Sequence, residues 1–322
     1  MKVKAMKRQF ALFVVLSLFL CSAVNAQIWR PDGPIKIMAA FNPGGAGDTL
    51  IRLIADELQR RTNWEMEVEN VTGRGGINMA LALKVQPKDG TAIGFGVTET
   101  FDYNIQAALG ETDALDHYSF LLSVARSQLG LVSLADRKMK SLDDLVVAGR
   151  GGQTFTVGVL SPRLNDLTRL MERHFGVDFE TVQMQTSESA LKAVIDGEVD
   201  LAWVSILQAS AIKDDLVINL ASGEQSRLRM SIRAKTLSRY GLDFSGGVRY
   251  IFLVPRGLPE SVRERLTDEI GDIVRDSSTL VNKYIKNTFG APFVIQGREL
   301  IDWVEEKHEE SGRLLRLLDN GL

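Results

Sequence analysis

Apolar positions along this chain switch repeatedly between a period of two residues and a period near 3.6. Residues 35–40 form a short, nearly continuous apolar run, as a buried strand does. Residues 47–61 then place Leu50, Ile54 and Leu58 on one helical face. Residues 65–70 alternate polar and apolar, residues 77–85 return to helical spacing, and residues 92–97 read as a strand. Strand and helix in this order predict a parallel sheet covered by helices. A second series follows, with strands at 154–159, 180–185, 199–204 and 216–221. Its helices carry Leu164, Leu167, Leu170 and Met171, ending near Phe175, and then residues 187–196. The two series share no matching residues, so they are two α/β units rather than a sequence repeat. Between them lie two apolar runs, 119–126 and 129–134. Later, residues 250–255 lead into a helix from Pro259 with Val262, Leu266, Ile270 and Ile273 at helical spacing. These two places read as crossings between lobes. The expected organisation is a first lobe of 27–126 with 251–322 and a second lobe of 127–250, with the C-terminal helices packed back on the first. No Pro-, Ser- or Gly-rich linker intervenes, which favours lobes sharing a hinge.

The first 26 residues stand apart from this alternation. Lys2, Lys4, Lys7 and Arg8 precede an apolar run from Phe10 to Leu20, and Val24-Asn25-Ala26 supplies small residues for cleavage. The pattern predicts a secretory signal peptide over residues 1–26, cut after Ala26. The run falls short of the roughly 20 residues that a membrane span needs. The single cysteine, Cys21, lies inside this leader behind Leu20, where a lipid anchor would want a small residue. A mature chain without cysteine has no disulfide, no thiol catalysis and no cysteine metal site, which suits a periplasm. Loss of the leader's four basic charges takes the formal net charge from −3 to −7. An acidic chain without a basic cluster is not built for nucleic acid. Any bound anion must therefore be held by local dipoles.

The segment Phe41-Asn42-Pro43-Gly44-Gly45-Ala46-Gly47-Asp48 supplies such dipoles. It joins a buried strand to an amphipathic helix, and its adjacent glycines let backbone amides converge and a ligand approach closely. The helix N-terminus adds unpaired N–H donors and a partial positive charge, together a cradle for carboxylate or phosphate. Asp48 falls in the first helical turn. The loop lacks the Lys-Ser/Thr pair of a P-loop, and Gly73-Arg74-Gly75-Gly76 lacks dinucleotide spacing. Taken alone, the loop reads as a packing turn as readily as a ligand site.

Together with Pro34-Ile35, Val68-Glu69-Asn70, Gly73–Gly76 with Asn78, and Pro87-Lys88-Asp89-Gly90, the loop resembles the Bug-type extracytoplasmic receptors of tripartite tricarboxylate transporters. Weaker similarity runs through Asp196-Gly197-Glu198-Val199-Asp200 and Leu253-Val254-Pro255-Arg256-Gly257-Leu258-Pro259. The resemblance implies a periplasmic two-lobe α/β Venus flytrap of type II kind, with a ligand cleft between its lobes. Such receptors deliver di- or tricarboxylates, acidic amino acids, nicotinate-like compounds or aromatic acids to a membrane permease. It maps carboxylate binding onto Phe41, Asn42, Gly44, Gly45 and Asp48, and places Thr98-Glu99-Thr100 at the cleft, with Thr98 and Thr100 as contacts. In the second lobe the pattern departs. Where relatives carry a Gly-Thr-Pro-Ser-His-like loop this chain has Ser161-Pro162-Arg163-Leu164-Asn165-Asp166, leaving Ser161 and Asn165 as candidates. Pro-Tyr-Lys-Gly is replaced by Gln183–Ser189, and an Asp-Asn region by Val204-Ser205-Ile206-Leu207. Ser187 and Ser205 are further candidates because each lies just past a strand. The implied outcome is an unusual ligand or a role in sensing.

Catalysis finds little support. His117, His174 and His308 are far apart in sequence, no Gly-x-Ser-x-Gly elbow is present, and Asp143-Asp144 and Glu305-Glu306 read as solvated helical faces. Trp203 reads as core. The expectation is a monomeric receptor that needs no metal or cofactor, closes on a small carboxylate and presents it to permease subunits. A periplasmic sensor and, further off, a small-molecule enzyme are the alternatives.

Overall fold

The computed structural model describes residues 29–137, 139–205, 212, 214–228, 231 and 233–319. The leader over residues 1–26, Cys21, and Ile206-Leu207 lie outside the described residues.

Burial patterns decide where each strand sits. Strand β1 (Ile35–Ala39) is buried at all positions but one and takes a central place, whereas β2 (Met66–Asn70) alternates half-buried with exposed and forms an edge. With β3 (Ala92–Val97), β4 (Tyr118–Ser127) and β11 (Val248–Pro255) they make a five-stranded sheet ordered β2-β1-β3-β11-β4. The predicted parallel trio β2-β1-β3 is present, and β11 arrives from far along the chain to pair antiparallel with both β3 and β4.

The second sheet repeats the plan. Strands β5 (Leu129–Leu134), β6 (Phe155–Val159), β7 (Phe179–Gln183), β8 (Leu201–Ser205), β9 (Val217–Ser222) and β10 (Lys235–Thr236) are ordered β10-β9-β5-β8-β6-β7. Here β7-β6-β8 is the parallel trio and β5 the antiparallel strand between β8 and β9. The chain enters this sheet across Gln128 alone and leaves it between Thr236 and Val248. Two α/β sheets joined by two crossings give the two-lobe flytrap architecture.

Local chemistry sets the helix ends. Helix α1 (Ala46–Thr62) buries Leu50, Ile51, Ile54 and Leu58, with Asp48 in its first turn and Arg60 and Arg61 in its last, each sign matched to the macrodipole. Two short helices, α2 (Ile77–Lys84) and α3 (Ile105–Leu109), flank the first sheet, and a π-helical turn (Thr100–Asn104) precedes α3. In the second sheet's layers, α4 (Leu142–Arg150) precedes α5 (Pro162–Phe175), which has Ser161 as N-cap, proline in its first turn and left-handed Gly176 just past its end. Helix α6 (Ser187–Ile195) opens on a Thr186–Ser189 capping box.

The C-terminal helices α7 (Glu260–Arg275) and α8 (Leu280–Phe289) pack beside α1. The last helix, α9 (Gly297–Asp319), departs from the expectation. It lies against β4 and also against α5, and Leu314 is buried in one core with Leu164 and Trp203. At about 1.5 Å per residue it is roughly 35 Å long, enough to span both lobes. Arg173 on α5 donates to the Leu317 and Leu318 carbonyls at 3.3 and 3.1 Å. Among the described residues no helix is long and apolar enough to cross a membrane.

Candidate functional site

In open α/β sheets, ligands bind beyond the carboxyl ends of strands at the point where the strand order reverses. Here those points are β1/β3 in one sheet and β6/β8 in the other. They single out the loops after residues 39, 97, 159 and 205.

The loop after β1 presents an open surface: Asn42 through Ala46 are all exposed. Its shape is fixed from beneath. The Phe41 ring stacks on Tyr250 (centroids 5.6 Å apart) and tilts against Phe95 at 5.4 Å. Gly47 is required at its position, because a Cβ there would come within 2.5 Å of the Phe41 ring. Gly44 has φ +79°, a left-handed conformation that glycine adopts without strain. Its N–H donates to Asp48 Oδ2 at 2.9 Å, and the Gly45 N–H donates to the Asn42 carbonyl at 3.1 Å. These two amides, expected to meet a ligand, are engaged within the loop. The Ala46, Gly47 and Asp48 amides at the start of α1 have no acceptor among the described residues. Asp48 changes role with them. It is 3% exposed, its oxygens accept from Gly44, Asn70 and Arg52, and it holds the loop instead of offering a ligand contact.

The loop after β3 departs further from expectation. Thr98 and Thr100 are fully buried. Thr98 exchanges hydrogen bonds with the Arg249 backbone, and the Thr100 hydroxyl donates to the Gly75 carbonyl at 2.8 Å. Both are scaffold. Between them Glu99, 6% exposed, is hydrogen-bonded to Ser161, the N-cap of α5, so that N-cap serves a carboxylate of the chain itself. Asn165, one turn on, accepts from the Thr181 hydroxyl at 2.6 Å. Ser187 and Ser205 are brought together, the Ser205 N–H donating to the Ser187 hydroxyl at 2.6 Å. Burial pushes the Tyr250 phenol up to about 12, and the Tyr284 phenol and the Glu188 carboxylate add to the rise. The exposed Gly44 loop rests on Tyr250 through Phe41, the Ser187–Ser205 pair ties the start of α6 to the end of β8, and Thr98 and Thr100 are held by the Arg249 backbone and the Gly75 carbonyl.

Sequence reasoning missed a buried ionic cluster linking both sheets. Arg163, in the first turn of α5, is 1% exposed. Its Nη2 meets Glu310 Oε1 of α9 at 2.8 Å, and its Nη1 lies 3.8 Å from Asp102. Lys307 bonds the other oxygen of Glu310, while the Ser245 amide donates to Oε1 at 2.8 Å. Alongside, Tyr103 donates to Asp166 at 2.6 Å. One signal could have revealed the cluster: a cation at a helix N-terminus opposes the macrodipole and needs another partner.

Burial pushes Glu99 up to about 7 against the pull of Arg163, and burial likewise pushes Glu224 up to about 7. From an ordinary 4.5 up to about 7 the native chain therefore holds protons that the unfolded chain has released. Native proton binding exceeds unfolded, so stability falls as pH rises through that window. Thermal melts should give a higher Tm near pH 5.5 than near pH 8, by about 2–4 °C for each kcal/mol involved. Glu99→Gln should flatten the slope and stabilise at pH 8. A wild-type Tm that climbs across the window would contradict the assignment.

Of the histidines, His174 bonds the Tyr240 carbonyl at 2.8 Å, and His308 reaches Gln106 and Thr112. His117 has possible metal ligands beside it in Glu111 and Asp113, their ligand atoms within 4.8 Å of one another. Trp203 is fully buried and donates to the Thr168 hydroxyl at 3.1 Å, as a core residue.

No family model matches the chain. In sequence it is similar to protein BugT of Bordetella pertussis, 25% identical over 207 residues that cover 58% of this chain and 60% of BugT. In fold it is similar to a TctC solute-binding protein from Polaromonas, with TM-score 0.73, 17% identity, and 89% and 99% of the two chains covered. It is also similar to MatC from Rhodopseudomonas palustris with bound malate, with TM-score 0.66, 20% identity, and 88% and 98% covered. The chain is Bug-like in sequence and in fold. Its solved Bug-like neighbours are binding proteins, not enzymes. In this chain, residues of its own engage the Gly44 and Gly45 amides and the α5 N-cap.

Proposed function

We propose that this chain is a periplasmic solute-binding receptor that captures a small organic carboxylate between its lobes and presents it to a tripartite tricarboxylate-type permease. The observation that carries the reading is the exposed Asn42–Ala46 loop, with acceptor-free amides at the head of α1 and a rigid aromatic floor. A helix N-terminus favours an anion by about 0.3–1 kcal/mol, so the remaining affinity must come from closure. The malate-bound neighbour and the leader-like first 26 residues support the ligand class and the compartment. In this reading residues 27–126 with 251–322 form one lobe and 127–250 the other, and the protein acts as a monomer. Ser187 and Ser205 meet the ligand from the second lobe, opposite Phe41, Asn42 and the Gly44-Gly45 turn.

The test uses the chain from residue 27 with a panel of mono-, di- and tricarboxylates and amino acids. A true ligand at 100-fold excess over its Kd adds about 2.7 kcal/mol, a rise in Tm of several degrees. The ligand should be recovered chemically unchanged after long incubation, which separates a receptor from an enzyme. Gly45→Val, branched at the mouth of the loop, should fold and lose most of the affinity. Absence of any shift across the panel would refute the carboxylate reading. One observation favours a sensing role instead. The Arg163 cluster already joins the lobes through buried contacts, so a signalling ectodomain could read a closed state. Pull-down of a permease subunit or of a kinase ectodomain distinguishes the two.

A further inference from the structure

A second polar cavity lies where the chain crosses between the sheets. It has a volume of about 120 Å³, and its walls include Arg126 at the end of β4, Arg249 at the start of β11, Trp303 and Lys307 of α9, Glu224 just past β9, and Gly247. By the yardstick of about 10–15 Å³ per water site, it has room for several waters or one small oxyanion.

Two of its cations lack an ion-pair partner. Among the described residues neither Arg126 nor Arg249 forms an ion pair or a side-chain hydrogen bond. Both are held by aromatic faces. The Arg126 guanidinium lies 4.3 Å from the Phe293 ring centre, and that of Arg249 lies 3.7 Å from Trp303 and 4.9 Å from Phe293. Stacking fixes the plane of a guanidinium and leaves its N–H edge for a planar pair of oxygens. Arg249 Nη1 is out of solvent and has no acceptor among the described residues, a cost that a native structure rarely carries without a partner. Burial and the neighbouring Arg126 charge press Arg249 down to about 10. The acids nearby do not resolve this. Glu224 Oε1 accepts from the Leu129 amide at 2.9 Å, Lys307 is matched by Glu310, and Glu299, Glu224 and Glu306 act on Arg249, as Arg126 acts on Glu224, without forming an ion pair.

We infer that this cavity is a hinge oxyanion site, in which Arg126 and Arg249 together bind a carboxylate group or an inorganic sulfate or phosphate. It is separate from the Gly44 loop. Its walls come from both crossings, so an occupant touches segments belonging to each sheet.

The test is titration calorimetry of the chain from residue 27 with sodium sulfate and sodium malonate, against sodium chloride at equal ionic strength. Saturable binding of either anion is expected, and which one binds distinguishes an inorganic from an organic source. Arg126→Gln, at an exposed position, and Arg249→Gln should each weaken it about tenfold or more, the loss of a charge-assisted contact. Glu224→Gln, which removes the one carboxylate on the cavity wall, should tighten it. Gly45→Val should leave it unchanged while abolishing cleft binding, so failure of one site is distinguishable from failure of the other. No saturable binding of either anion, or binding that survives both arginine substitutions in the Gly45→Val background, overturns the assignment.

Discussion

Arg163→Ala is expected to cost about 3–5 kcal/mol of unfolding free energy, the usual penalty for leaving buried charge uncompensated. The side chains of Asp102 and Glu310 are at most 3% exposed, and neither can reach water if the guanidinium goes. Asp102 is the more vulnerable. Neither of its oxygens has a hydrogen-bond donor among the described residues, and burial already raises its carboxyl, with Arg163 at 3.8 Å the strongest opposing charge. Glu310 would keep Lys307 and the Ser245 amide. The double variant Arg163→Met with Asp102→Leu should therefore recover much of the loss, because it removes the unmatched charge instead of stranding it. Denaturant unfolding of the wild type, the single and the double variant checks the ordering. A single-variant loss under about 1 kcal/mol would mean that water reaches the cluster.

The parts of this fold that the sequence disclosed are those written in periodicity. The trio β2-β1-β3 follows from short apolar runs separated by helical spacing, and so does β7-β6-β8. The strand exchange was legible as two apolar runs set almost back to back on either side of Gln128. The reach of α9 was not legible, because an amphipathic stripe says which face is buried and leaves open how many neighbours share it. The site was legible at the level of the loop and not of the atom. Two glycines, an asparagine and an aspartate at a strand-to-helix turn pointed to convergent amides, but not to the partners those amides take. Asp48 and Gly44 are four residues apart, close enough to satisfy each other, and Asn70 completes the set from a different strand. Thr98 and Thr100 were placed by the resemblance, at the end of a strand. What buries them is Arg249 and Gly75, at sequence distances no local pattern encodes.

Asp48→Ala should cost about 1–3 kcal/mol, because the Gly44 N–H and the Asn70 amide lose a buried acceptor. The larger effect is expected on binding. With its anchor gone, Gly44 has no reason to hold its left-handed turn, and the loop must be ordered by the ligand instead of ahead of it. Lost preorganisation of this kind should weaken carboxylate affinity by about tenfold or more. Asp48→Asn keeps one oxygen acceptor and should lose less of both. Burial alone would raise the Asp48 carboxyl, but bonds from Arg52, Asn70 and the Gly44 amide outweigh it and hold the group below its usual range. A carboxyl lowered in the native state stabilises the fold above its unfolded pKa, about 4, and that contribution is lost as pH falls through the native value. Wild type should therefore lose both stability and ligand affinity on acidification below about pH 4, whereas Asp48→Ala, already without the anchor, should lose less of each, its remaining acid loss coming from other lowered carboxyls such as Glu57 and Asp276. Calorimetry and thermal melts on the two variants across pH 3–7 read both quantities. Full affinity in a folded Asp48→Ala protein would show that the ligand, and not Asp48, sets the shape of the turn.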